Sequence, residues 1–328
     1  MSNLEQDPDL VHCSDGGGTP GLELLAPRDV PLGGPRAMTV RRTLPQKQRS
    51  LIGAWCFVDH YGPDHVAGSG GMRVPRHPHT GLATVSWLFS GEIDHRDSAG
   101  FAAVVRPGEV NLMVAGRGIS HQEFSTPGTE VLHGAQLWYA LPDSTRHMAP
   151  TFSHHVPDPV VVDGAEIRVF IGSLAGATSP VPTHTPPLLG AEITLSPGAR
   201  VELAVDPGNE HGVLLDSGDL RLGGTQVPRD HLAHVPTGRT QLVLEAGREP
   251  VRLLLLGGRP LGEQIVMWWN FVGRDHDEIA AHRAAWQAEI GAEAGERGAP
   301  PRFGTFPDGM PAPLPAPDLP GVRLRPRG

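Results

Sequence analysis

The sequence predicts an all-β protein built from two β domains in tandem, and three observations carry that expectation. Glycine and proline number 42 and 34 among the 328 residues, which favours many short strands joined by turns over long helices. Between residues 35 and 145, apolar runs rich in β-branched and aromatic residues recur at fairly even spacing, roughly seven or eight of them, as in a sandwich or small barrel. After a connection, a second set of strands with Gly-bearing turns repeats the first in kind. The expected organisation is a mostly disordered segment 1–34, a first domain 35–145, a second domain 146–272, a helix within 273–294 and a Pro-rich extended tail 295–328.

Taken in order, residues 1–21 join an acidic segment to SDGGGTPG, with too few apolar groups to offset the entropy of ordering. Ala37 to Arg42 alternates as a strand does, and the run Leu51 to Val58 reads as a buried strand that makes Cys56 a small core residue. In DHYGPDH, Asp59, His60, Asp64 and His65 alternate carboxylate and imidazole, but Gly62-Pro63 marks a loop, so these side chains are expected in solvent. Thr84 to Phe89, Glu92 to Arg96, Gly100 to Val105, Val110 to Val114 and Leu132 to Leu141 complete the first set, and Pro142 to Pro159 connects it to the second.

The segment Asp275 to Ile290 is the one convincing helix. Asp275 is placed to cap it, Glu278 follows three residues later as in a capping box, and Asp277 and Glu278 put negative charge in the first turn. Its apolar stripe includes His282, which reads as a packed residue. Beyond Gly291, PAPLPAPDLPG is too rich in proline for a packed element and is expected to be extended and mobile.

With 27 basic against 36 acidic residues the formal charge is -9, which disfavours a nucleic-acid-binding surface. Two cysteines, Cys13 and Cys56, make no disulfide framework. The first residues contain no apolar leader-like region, and no apolar run reaches about 18 residues. The chain reads as cytoplasmic, without a membrane partner.

Chemistry concentrates between Gly71 and Glu123, in the pairs His77-Pro78-His79 and His121-Gln122-Glu123. On a strand, positions i and i+2 share a face, so both pairs can aim at one point. Three imidazoles and a carboxylate suit Fe, Mn, Ni, Cu or Zn, and their convergence in a barrel without a metal would be costly.

Gly71 to His79 reads as a glycine, five residues and His-x-His, as in the first motif of the cupin β-barrels, with Gly91 where that motif ends. Gly108 to His121 resembles the second motif in a lengthened form, AGRGISHQE. Together with HPHTGLATVSWLFSGEIDHRDSAG and HGAQLWYALP, these stretches resemble the pirin family, whose members are bicupins. The resemblance extends over roughly residues 35–290.

That resemblance implies two tandem cupin-type jelly-roll barrels with a C-terminal helix. It also implies one divalent metal ion in the first barrel, held by His77, His79, His121 and Glu123, with Fe(II) first and Mn, Ni, Cu, Co or Zn as alternatives. Many relatives carry a glutamate where Ala83 stands, so Glu123 must be the carboxylate. Around Gly208 to His211 the second barrel offers one isolated histidine, and no metal is expected there. Arg117 and Gln136 are expected to support the site. His95, His133, His154 and His155 lack a partner at ligand spacing and are assigned surface or supporting places. Trp87, Met113, Phe124 and Trp138 could line an apolar mouth, plain core being the simpler reading.

The implied activity is that of a quercetinase-type dioxygenase acting on a flavonol-like aromatic substrate with dioxygen, Glu123 serving as ligand and general base. The alternative is a non-enzymatic, redox-sensing regulator that meets a protein partner; a catalytically silent scaffold is a third.

Overall fold

The computed structural model describes residues 21–32, 38–294 and 301–328. Two antiparallel sandwiches follow one another, each pairing a seven-stranded sheet with a four-stranded one. In the first, the larger sheet runs Thr151–His155, Val110–Val114, Leu82–Ser90, Val131–Ala140, Trp55–His65, Met38–Leu44, Arg28–Leu32. Facing it are Arg73–His79, Ile119–Ser125, Ile93–Asp97 and Ala102–Val105. Val40, Tyr61 and Leu132 from one sheet meet Val74, Ile93 and Val105 from the other in one apolar cluster, so inward positions two apart on each strand fill this end of the barrel.

The second sandwich repeats the plan. Glu23–Leu25, Leu232–Val235, Glu210–Ser217, Val251–Gly258, Leu188–Leu195, Ala165–Ile171 and Val160–Val162 make its larger sheet, and Arg200–Ala204, Gln241–Ala246, Leu220–Leu222 and Thr225–Val227 its smaller one. The junction between the halves is tightly built. Trp55 Nε1 donates to the carbonyls of Leu189 (3.0 Å) and Gly257 (3.2 Å), and Trp87 stacks on Phe170 at 4.6 Å while donating to Glu192 (2.9 Å). A buried bidentate pair, Arg42 with Asp59 at 2.6 and 2.8 Å, stiffens the neighbouring strands.

Several expectations are corrected. Within the segment 1–34, read as mostly disordered, residues 21–32 are ordered: Glu23–Leu25 pairs with Leu232–Val235 of the second barrel and Arg28–Leu32 with Met38–Leu44 of the first; residues 1–20, with Cys13, and 33–34 lie outside the described residues. Thr151–His155, read as connection, forms the edge strand beside Val110–Val114.

DHYGPDH is not a loop, and only its second half meets solvent: Asp59 and His60 are buried, Asp64 is half-buried and His65 is exposed. The segment continues the strand Trp55–His65, where the register against Val131–Ala140 shifts between Gly134 and Leu132 and so admits the Gly-Pro pair at a bulge. A Cβ on Gly62, at φ +81°, would lie 2.2 Å from the Leu132 carbonyl, which explains the glycine as a close backbone approach.

The described tail is packed. Leu314 N donates to Arg76 O (2.8 Å), Phe303 is fully buried, and Arg327 exchanges two backbone hydrogen bonds with Ile265. The helix spans His276–Glu289, with the Asp275 carboxylate accepting from Glu278 N at 2.8 Å. Glu278 does not close a capping box but accepts from Arg274 N (2.8 Å) and pairs with Arg146. Buried Trp286 reaches the tail, donating to Leu314 O (2.8 Å). No helix among the described residues is long and apolar enough to cross a membrane.

Candidate metal centre

His77 and His79 lie on Arg73–His79, and His121 and Glu123 on Ile119–Ser125, adjacent antiparallel strands in which His121 stands opposite His77 and Ile119 opposite His79. Directly opposed residues share a face, so the three imidazoles converge by register alone. A bulge between His121 and Glu123 shifts the pairing and sets Glu123 opposite Val74 on one side and His95 on the other. All four side chains are almost fully buried.

The ring nitrogens are sorted by their partners. His77 Nδ1 donates to Pro75 O (2.8 Å) and His79 Nδ1 to Asn270 O (3.2 Å), which puts the ring proton on Nδ1 and the lone pair on Nε2. His121 Nδ1 faces His95 Nδ1 at 3.4 Å, and His95 Nε2 faces Asp97 Oδ2 at 3.4 Å. Asp97 is itself held by the backbone N–H groups of Ala99 (2.9 Å) and Phe101 (3.1 Å). A proton on each outward nitrogen along this chain leaves His121 Nε2 directed inward as well. Such outer hydrogen bonds set the tautomer and orientation of metal-binding histidines.

Three inward nitrogens therefore lie close together, with His79 Nε2 and His121 Nε2 3.0 Å apart. Two imidazoles bound at right angles to one ion at about 2.1 Å would stand about 3 Å apart, so the donors fit a metal. Burial pushes His77 down to about 4 and His79 and His121 well below the usual imidazole value; all three are neutral near pH 7, the state that can donate a lone pair. His77, His79 and His121 form one group able to hold a metal ion, and His95, His121 and Glu123 an overlapping one.

Around Glu123, Ser86 Oγ lies 3.4 Å from Oε1 and 2.8 Å from Gln136 Oε1, which places fully buried Gln136 beside the site through that hydroxyl. Tyr61 is fully buried, and burial together with the charge of Glu123 pushes its phenol well above the usual value. Trp138 packs edge-on against His79, with centroids 5.1 Å apart, and stacks on Phe57.

The other aromatic candidates lie elsewhere. Trp87 belongs to the domain junction, Met113 packs with Ala115 and Ile119, and half-buried Phe124 carries Arg73 over its ring. Arg117 is exposed at the rim of an 890 Å³ cavity beneath the C-terminal helix, not beside the histidines. His154 is a surface residue paired with Glu109 at 2.8 Å, and His155 is half-buried.

His60 is what sequence spacing missed, whereas His95, assigned a surface or supporting place, takes the supporting one. It stands two residues before Asp97 on an alternating strand whose inward positions are Ile93, His95 and Asp97, and the period of two turns it away from solvent. His60 and His133 are buried and both reach Asp216 Oδ1 of the second barrel, at 2.9 and 2.6 Å, while Arg252 Nε donates to Asp216 Oδ2 at 2.7 Å. This group could also hold a metal by ligand type. Here, however, the carboxylate sits between the imidazoles at hydrogen-bond distance and already has a guanidinium partner, so it is satisfied as it stands.

The family model for pirin matches residues 37–139, and that for the pirin C-terminal cupin domain matches residues 190–290. A Pseudomonas aeruginosa protein provisionally named a quercetin 2,3-dioxygenase is 43% identical over 295 residues, covering 88% of this chain and 91% of its own. Human pirin is 30% identical over 250 residues, covering 74% and 83%. The crystal structure of quercetin 2,3-dioxygenase from Acinetobacter baumannii superposes with a TM-score of 0.83 at 35% identity, over 92% of this chain and 97% of that one.

Proposed function

Because the chain belongs to the pirin family and carries both of its cupin domains, we propose that it is a metal-dependent dioxygenase of the quercetinase type. In this reading His77, His79, His121 and Glu123 hold one divalent ion, Fe(II) being the best match to a mixed imidazole and carboxylate set open to substrate. The observation that carries the proposal is the inward aim of three neutral Nε2 atoms, two of them 3.0 Å apart. The 43% identical relative and the similar Acinetobacter structure support the substrate class, a flavonol-like enolisable aromatic.

When bound, the metal supplies Lewis acidity toward a substrate oxygen and an electron partner for dioxygen. The chain supplies the rest. Pro75 O, Asn270 O and the His95–Asp97 pair hold the imidazoles in one tautomer. Glu123 Oε1 takes the proton of the substrate hydroxyl; Ser86 Oγ lies 3.4 Å from it and gives its own proton to Gln136 Oε1 at 2.8 Å. Trp138 against His79 offers an apolar wall for an aromatic ring. Cys56, a buried free thiol, agrees with a reducing, cytoplasmic setting.

The test is aerobic incubation of Fe-, Mn-, Ni-, Cu- or Co-loaded protein with quercetin, following loss of flavonol absorbance and release of carbon monoxide. Turnover that disappears in His79→Ala and Glu123→Ala is the expected result. No turnover with any loaded metal overturns the dioxygenase reading, and full metal content in that inactive protein points to the regulator with a protein partner.

A further inference from the structure

The second barrel carries an occupiable site of its own, independent of the chemistry in the first. A cavity of about 500 Å³ opens in it, bounded by Leu174, Val181, Leu188 and Leu189 and, among its polar residues, by Asn209 and His211; the hydroxyls of Ser173 and Ser179, also in its lining, are already bonded to Thr178 and to Phe170 O. That volume lies within the range of small-molecule pockets. His211, on the strand Glu210–Ser217, is 1% exposed, yet neither ring nitrogen has a hydrogen-bond partner, and Asn209 Oδ1 has none either. A buried imidazole and amide oxygen without a protein partner are costly unless the cavity supplies one, as a ligand or an ordered water.

The chemistry of the lining narrows the ligand. No group of potential metal ligands among the described residues includes His211, which sets a metal aside. No lysine or arginine lines the cavity, and its one carboxylate, Asp206, already accepts from Gly208 N at 2.7 Å, so an anion finds no counter-charge. Burial pushes His211 down to about 4, leaving a neutral ring with one N–H and one lone pair. A hydroxyl group answers both, because it donates and accepts at once. The aliphatic walls suit a flat apolar ring, whereas a sugar would want a stacking phenyl or indole ring, and no Phe, Tyr or Trp lines this cavity.

We propose that the second barrel binds a small uncharged hydroxylated aromatic molecule, with its hydroxyl on His211 and Asn209 and its ring between Leu174, Val181, Leu188 and Leu189. Phenol and 2-naphthol serve as probes because neither chelates a metal in the first barrel. They are titrated into the full metal-loaded chain, with 2-naphthol fluorescence and the nitrogen-15 signals of labelled histidine rings as readouts and glucose as control.

The expected result is saturable one-to-one binding that moves the His211 ring signals. It should weaken at least about tenfold in His211→Leu, the loss of one hydrogen-bonded contact, and be partly kept in His211→Gln, which retains a donor and an acceptor. His211→Leu should leave the metal content unchanged. Absence of saturation by both probes, binding untouched by His211→Leu, or saturation by glucose in their place each overturns the proposal. Should His211→Leu fail to fold, the ring signals of the unaltered protein decide the matter: binding that leaves His211 unmoved refutes it.

Discussion

Replacing Asp216 by alanine should be among the most damaging single changes in this protein, although Asp216 touches no candidate metal ligand. Its carboxylate, 1% exposed, accepts from His60 (2.9 Å), His133 (2.6 Å) and Arg252 (2.7 Å), and two of these three come from the other barrel. Removing one member of a buried charged pair costs about 3–5 kcal/mol, because the partner is left uncompensated. Arg252 keeps 30% of its side chain in solvent and recovers part of that loss by turning to water, whereas His60 and His133 cannot. The lower end of the range, about 3 kcal/mol, is therefore expected for Asp216→Ala, and less for Asp216→Asn, which keeps one acceptor in place.

Urea unfolding followed by tryptophan fluorescence measures this directly, since Trp55 and Trp87 both lie at the junction. Asp216→Ala combined with His133→Ala should fall short of the sum of the single effects by about 1 kcal/mol or more. A loss below about 1 kcal/mol for Asp216→Ala, or strict additivity in the pair, would refute the picture of a cross-barrel clamp. The pH dependence gives an independent check. Burial alone would raise the Asp216 carboxyl, but hydrogen bonds from His133 and His60 outweigh it and hold the group well below its ordinary value. A carboxyl depressed by folding stabilises above its unfolded value and loses that contribution as pH falls, so the difference between the native protein and Asp216→Asn should be full at about pH 6 and shrink below about pH 4.

Three further outcomes follow from the same contacts. Asp97→Asn removes the carboxylate that orients His95 and, through it, His121; metal affinity should fall about 10- to 100-fold, measured by competition with a chromogenic chelator, while the fold survives. In metal-free protein, His77 stays neutral down to about pH 4 in the fold but takes a proton near pH 6.5 once unfolded. Stability should therefore fall by about 3 kcal/mol between those limits on acidification, read from urea midpoints against His77→Gln. Phe303→Ala empties a fully buried position against Trp286 and Phe271 and should cost about 3–5 kcal/mol; thermal unfolding reports it, and a loss under about 1 kcal/mol would mean that the tail is not a structural part of the first barrel.

Much of the candidate metal centre was legible because a period of two is a local property. His77 with His79 and His121 with Glu123 can be placed on one face from spacing alone, and a turn-punctuated chain with no competing helical period leads to two β domains. What stayed hidden depended on distant residues. The Gly62-Pro63 pair reads as a loop until Leu132 and Gly134 are seen across the bulge, and with that loop His60 and Asp59 were assigned to water, although both are fully buried. A run with proline at every second or third position, such as PAPLPAPDLP, marks a segment that forms neither helix nor sheet. It does not mark one that cannot pack: Leu314 and Ala316 dock through backbone N–H groups on Arg76 and Gln287. Spacing left His95 between a surface and a supporting place, and what decides for the latter is its own carboxylate, Asp97, two residues on.

The hydrogen bond from His79 Nδ1 to the carbonyl of Asn270 crosses some 190 residues of sequence. It joins a candidate ligand to a segment that lies beyond the last strand of the second barrel and offers no ligand itself. An excised first barrel could thus keep all four donors and still present His79 in a mixture of tautomers, with only part of the population ready to bind. Partition of this protein into a functional half and a dispensable one fails at that carbonyl, and efforts to shrink or recombine it should treat residues near 270 as part of the metal-binding module.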